Sequence, residues 1–104
     1  MPVARGFIKT TPEGDHFISD FVIDGNHYQF NGEMHPPVHN LMSDDARLEY
    51  ESPEQLSTHQ GFEGMIGATE TKLHLQNGPH IVGHLNMPIV PPSRVMGRGN
   101  WSHN

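Results

Sequence analysis

The stretch that decides the fold is residues 16–34, His-Phe-Ile-Ser-Asp-Phe-Val-Ile-Asp-Gly-Asn-His-Tyr-Gln-Phe-Asn-Gly-Glu-Met. Phe17, Phe21 and Ile23 share one parity before the glycine, with Ser19 between them. Tyr28, Phe30 and Met34 share one parity after it, with Gly32 between them. A period of two marks half-buried strands. Gly25-Asn26 fits a glycine-first two-residue turn of type II′. That turn opposes Ile23 to Tyr28, Phe21 to Phe30 and Phe17 to Met34, all on one face. A slip of one residue would scatter the set, so turn chemistry and face assignment support each other. Ile18 and Val22 fall on the opposite face, and the ribbon is expected to be partly covered on both sides.

A second hairpin lies downstream, from 69–75 and 79–87. A three-residue loop Gln76-Asn77-Gly78, with Gly78 left-handed, gathers Thr71, Leu73, Leu75, Ile81, Gly83 and Leu85 on one face. A two-residue Asn77-Gly78 turn would mix the faces, so the longer loop is preferred. Around these hairpins, alternation predicts strands over 4–10 and 46–51. A further strand over 61–68 carries a bend or bulge near Gly64. Thr11-Pro12-Glu13-Gly14-Asp15 reads as a turn, and Pro36-Pro37 keeps 35–45 irregular. Ser43-Asp44-Asp45 suits the cap of a short turn. Ser52-Pro53-Glu54 suits one helical turn, with Ser capping and Pro first. Pro88, Pro91 and Pro92 end the sheet. The pattern predicts an all-β fold, a small antiparallel barrel or sandwich of six to eight strands. A single β domain over 1–93 would be followed by a C-terminal tail over 94–104, packed on the domain through Trp101.

Composition narrows the function classes. The chain has 104 residues, 34% of them hydrophobic, with 11 Gly and 9 Pro. Its mean hydropathy is −0.58. A core built from so few apolar residues is thin. No Cys is present, which excludes a disulfide framework, a thiolate zinc site and a Cys nucleophile. The acidic balance argues against non-specific nucleic-acid binding, which needs clustered Lys and Arg. No segment is apolar and long enough for a transmembrane helix. Met-Pro-Val-Ala-Arg opens no run of signal-peptide length; taken at face value, that implies a cytoplasmic protein.

Nine His stand against six Lys plus Arg, so protonating all of them takes a formal charge of −6 to +3. His is the side chain whose ordinary pKa lies nearest physiological pH. Asn31-Gly32 with His35, His39 and Met42 is echoed by Asn77-Gly78 with His80, His84 and Met87, a pattern that would fit an internal duplication. Neither His-x-x-x-His pair can chelate one ion on an extended chain, where four residues span roughly 13 Å. Cross-strand pairing does better. The preferred hairpin sets His74 opposite His80 and Glu70 opposite His84, and opposed side chains start about 5 Å apart. His74, His80, His84 and Glu70 are therefore the candidate ligands for zinc or another divalent transition metal. The plainer reading is an exposed polar face with no cofactor. His16 projects near His35 by the same counting.

Catalytic readings rest on His39 with Asp44 or Asp45, and on His59 near Glu63. Neither sits in a nucleophile motif, and no phosphate loop or His-Glu-x-x-His is present. The pattern favours a non-enzymatic binding module for a protein or small ligand. Arg94, Arg98 and Trp101 in the tail and Asp44 and Asp45 in the acidic stretch are its candidate contacts. A His-dependent metal-binding or catalytic barrel and a pH-responsive effector are the alternatives. Exposed strand edges would permit a homodimer.

Overall fold

The computed structural model describes residues 2–103. Eight strands close into an antiparallel barrel: β1 Val3–Thr10, β2 His16–Ile23, β3 Asn26–His35, β4 Met42–Glu49, β5 His59–Ile66, β6 Glu70–Leu75, β7 His80–His84 and β8 Ser93–His103. One short 3-10 turn, Pro53–Gln55, follows Ser52 as its N-cap residue. Around the barrel the order is β1-β2-β3-β8-β5-β6-β7-β4, with β4 returning to β1.

That order contains two Greek keys joined edge to edge. β1, β2 and β3 form a meander, and β4 folds back beside β1. β5, β6 and β7 repeat the meander, and β8 folds back beside β5. A Greek key has this 4-1-2-3 arrangement. The seams are β3 with β8 and β7 with β4. Gly6 and Gly64 occupy matching places. Gly6 pairs with Phe21 and Ala46, and Gly64 pairs with Leu73 and Val95. In each case an added Cβ would collide with a carbonyl of the next strand, that of Asp20 or of Lys72. The histidine echo does not follow this duplication. Asn31-Gly32 lies inside β3, whereas Asn77-Gly78 lies in the β6–β7 turn.

The first hairpin keeps its predicted faces but not its predicted register. The turn residues are Asp24 and Gly25, with φ of 51° and 81°. Two successive positive φ values are the type I′ combination, for which Asp-Gly is well suited. Phe21 therefore pairs with Tyr28 and Phe17 with Gly32, two residues from expectation. A shift of two preserves parity, so Phe17, Phe21, Phe30 and Met34 are all fully buried. Ile18 and Val22 point outward and stay exposed.

The second hairpin matches its expected register, with Leu73 opposite Ile81 and His74 opposite His80. Its loop is closed by Leu75 N donating to Pro79 O at 2.9 Å, and Gly78 has φ of 118°. Ser43-Asp44-Asp45 belongs to β4 rather than to a cap. There Ser43 Oγ donates to His84 O at 2.6 Å. Gly64 marks a close approach and not a bulge, since its pairing runs unbroken from Phe62 to Ile66.

The largest correction concerns residues 94–103; Asn104, the last residue of the expected tail, lies outside the described residues. The segment read as a tail contributes β8, the longest strand, inserted between β3 and β5. Val95 and Trp101 face inward and are buried. The core rings stack against one another: Phe17 lies 5.3 Å from Phe62 and Phe30 lies 4.9 Å from Trp101, centroid to centroid. Val38, Leu41, Tyr50 and Leu56, from segments between strands or at a strand end, are also part of the core. A filled interior of this kind follows from small barrel size. Closure also removes the open edges on which strand-addition dimerisation would depend, among the described residues.

Truncation after Pro92 is therefore expected to abolish the cooperative thermal transition in circular dichroism, not merely to weaken a contact. Gly64→Ala is expected to cost about 1–3 kcal/mol through overpacking, read by urea denaturation.

Candidate functional site: a groove on the barrel wall

β8 brings together residues that are far apart in the chain. On the outer face, the pairings run Asn31–Asn100–His59, Glu33–Arg98–Gly61 and His35–Met96–Glu63–His74. These rows form an open groove of about 870 Å³ across β3, β8, β5 and β6. Its lining includes Glu33, His35, His59, Glu63, His74 and Arg98, with Met96, Phe62 and Leu75 as the apolar part. Gly61 and Gly97 also line it, and at Gly61 the missing side chain leaves room beside Gln76. A second depression of about 430 Å³ continues toward β2 and shares Glu33, His59 and Arg98.

The groove has a mixed electrostatic character. The two carboxylate oxygens of Glu33 face different imidazoles, His16 at 3.9 Å and His35 at 4.0 Å. His16 Nδ1 donates to Asp15 Oδ1 at 3.1 Å. That hydrogen bond is the main reason Asp15 is held below its ordinary 3.8, with the neighbouring His16 and His35 charges adding to it. His59 Nδ1 donates to Asn100 Oδ1 at 2.9 Å, linking β5 to β8.

The residues singled out from the sequence are dispersed. Arg98 lines the groove, and Arg94 lies farther along the outer face of β8. Trp101 is a core residue at 8% exposure, packed at a tilt against Phe30, so it is not a free anchor. Its Nε1 is buried without a hydrogen-bond acceptor among the described residues. Asp44 and Asp45 lie on β4, across the barrel from β8. Asp44 accepts from Asn86 Nδ2 at 3.0 Å, while Asp45 faces Arg5 at 3.6 Å. These five residues do not make one surface.

The metal candidates divide into two pairs. His74 and His80 are opposed, with ring centroids 4.4 Å apart. Glu70 and His84 are opposed farther along the same hairpin. Along β7, four residues of extended chain separate His80 from His84, roughly 13 Å. Among the described residues, no group of three or more His, Asp or Glu is placed to hold one ion.

The two histidines of the suggested catalytic pairs are each engaged through Nδ1. His39 Nδ1 donates to Pro12 O at 3.1 Å, and His59 is engaged by Asn100. No helix of the described residues is long and apolar enough to cross a membrane.

His59 and Glu63 were expected near each other, but Glu33, His35, Gln76 and Met96 were not expected to join them. The usable signal was the alternation of Arg94, Met96, Arg98 and Asn100 with Val95, Gly97, Gly99 and Trp101. Two glycines on the inward parity weakened it. Comparison with protein-family models, with curated proteins and with solved structures returns no significant match.

The His16–Asp15 contact can be read directly. His16→Ala is expected to move the Asp15 carboxyl back up toward 3.8, followed by carboxyl-carbon NMR titration. Because the folded value is the lower one, the contact stabilises the fold above the unfolded carboxyl pKa. That contribution is lost as pH falls through the folded value.

Proposed function

We propose that this chain is a non-enzymatic binding module that captures an extended polypeptide segment in the wall groove across β3, β8, β5 and β6. The observation that carries the reading is the contrast between a filled interior and a long open depression outside. Phe17, Phe21 and Phe30 occupy the barrel centre at 1% exposure or less. A small apolar ligand needs a pocket that encloses most of its surface. The groove is open, and it continues into a second depression through Glu33, His59 and Arg98. An elongated partner can follow such a path.

The lining suits a peptide of mixed character. Met96 is 58% exposed and offers an adaptable apolar contact. Arg98 offers a planar donor fork for a carboxylate or a backbone carbonyl. Glu33 and Glu63 offer acceptors for a basic side chain. His39 and His59, the histidines of the catalytic alternative, donate to Pro12 O and Asn100 Oδ1.

Panning a random peptide display library against the folded protein tests the proposal. Enriched peptides are expected to shift amide resonances of β3, β8, β5 and β6. Arg98→Glu is expected to weaken them at least tenfold, and Lys9→Glu on β1 to leave them unchanged. Failure to enrich any peptide, or shifts centred on β4 and β1, would overturn it.

A further inference from the structure

The transverse registers place four potential ligands side by side on the outer wall. Glu49 on β4 pairs with His80 on β7, His80 with His74 on β6, and His74 with Glu63 on β5. All four belong to the outward parity of their strands: the inward neighbours Leu48, Ile81, Leu73 and Phe62 are buried. Adjacent members of such a row start about 5 Å apart at Cβ.

We infer that His74 and His80 form a two-histidine cross-strand site for a divalent transition ion, Cu(II) or Ni(II), with water as the remaining ligands and the Glu63 carboxylate as a neighbouring countercharge. The ring geometry is the main support. The two centroids are 4.4 Å apart and the rings are inclined at 81°. Two imidazoles bound cis to one ion, with metal–nitrogen bonds of about 2.0–2.1 Å, have centroids about 4–5 Å apart. Imidazole nitrogens completed by oxygen ligands suit Cu(II) and Ni(II).

The carboxylates are not equivalent. Glu49 is drawn toward Arg47, whose Nε lies 3.4 Å from Glu49 Oε2. Glu63 is exposed, has no ion pair among the described residues and stands beside His74 in the row. Water completes the coordination, as expected on an open wall. Lys72 and Arg47 flank the row two residues along β6 and β4, so Glu63 also offsets their charge against the incoming cation.

Other histidine groups lack this geometry. His16 and His35 face opposite oxygens of Glu33 rather than each other. His84 lies between Glu70 and Asp45, and Asp45 is engaged by Arg5. The inference is independent of the peptide reading, because the site needs no occupant in the groove although His74 borders it.

The test is a titration of untagged, isotopically labelled protein with Cu(II) alone, up to one equivalent in a non-coordinating buffer. Paramagnetic broadening is expected first at the amides of residues 73–75 and 79–81. His74→Ala and His80→Ala are each expected to weaken Cu(II) binding at least tenfold, and Glu63→Gln several-fold. His16→Ala and His84→Ala are expected to leave it unchanged. The near-ultraviolet signal of Trp101 verifies that each variant is folded. Broadening centred on another histidine, or unchanged affinity in folded His74→Ala, would overturn the site. Peptide capture that proceeds normally without copper leaves this result unaffected, so the two readings fail separately.

Discussion

Everything in this molecule depends on the backbone pairing of β8 with both β3 and β5. An isolated Greek key leaves two edges with unpaired N–H and C=O groups, a liability in water. Here each fourth strand closes its own key and also forms the seam to the other one. β8 pairs along His59–Ile66 of β5 and along Tyr28–His35 of β3. β4 does the same for β1 and β7. Neither half can satisfy its edges without the other.

Closure also explains how a chain with 34% hydrophobic residues builds a core. In a barrel every strand contributes one face to a single interior. Alternate positions suffice, and polar residues can occupy the rest. Ser19, Ser43 and Thr71 are buried among the apolar side chains, and each hydroxyl donates to a backbone carbonyl. A buried hydroxyl so paired avoids the desolvation cost of an orphaned one. Among the described residues the Trp101 Nε1 is the exception, buried without an acceptor.

The outer wall obeys a different logic. Residues separated by dozens of positions become neighbours because strand registers align them in transverse rows. The groove and the Glu49–His80–His74–Glu63 row are both products of that alignment. The groove draws on both Greek keys, since β3 belongs to one and β8, β5 and β6 to the other. The histidine row crosses the β7–β4 seam in the same way. The His74–His80 pair itself lies within the second key, on β6 and β7.

Local pattern determined the strand-rich class, the inward parity of 17, 19 and 21, and the complete register of the second hairpin. These features depend on near neighbours: a period of two, a loop glycine with positive φ, and the burial cost of mixed faces. The first hairpin shows the limit of that information. Gly25-Asn26 and Asp24-Gly25 preserve the same parity, so pattern alone could not choose between registers two residues apart. The positive φ values at Asp24 and Gly25 show which turn is formed. Tertiary structure alone decided the role of 94–103, because Gly97 and Gly99 occupy the inward positions where a strand would advertise itself with apolar side chains. An added Cβ would collide with the Glu33 carbonyl at Gly97 and with the Phe30 ring at Gly99. The absence of side chains, which made the segment look like a tail, is what lets it pass through the middle of the barrel wall.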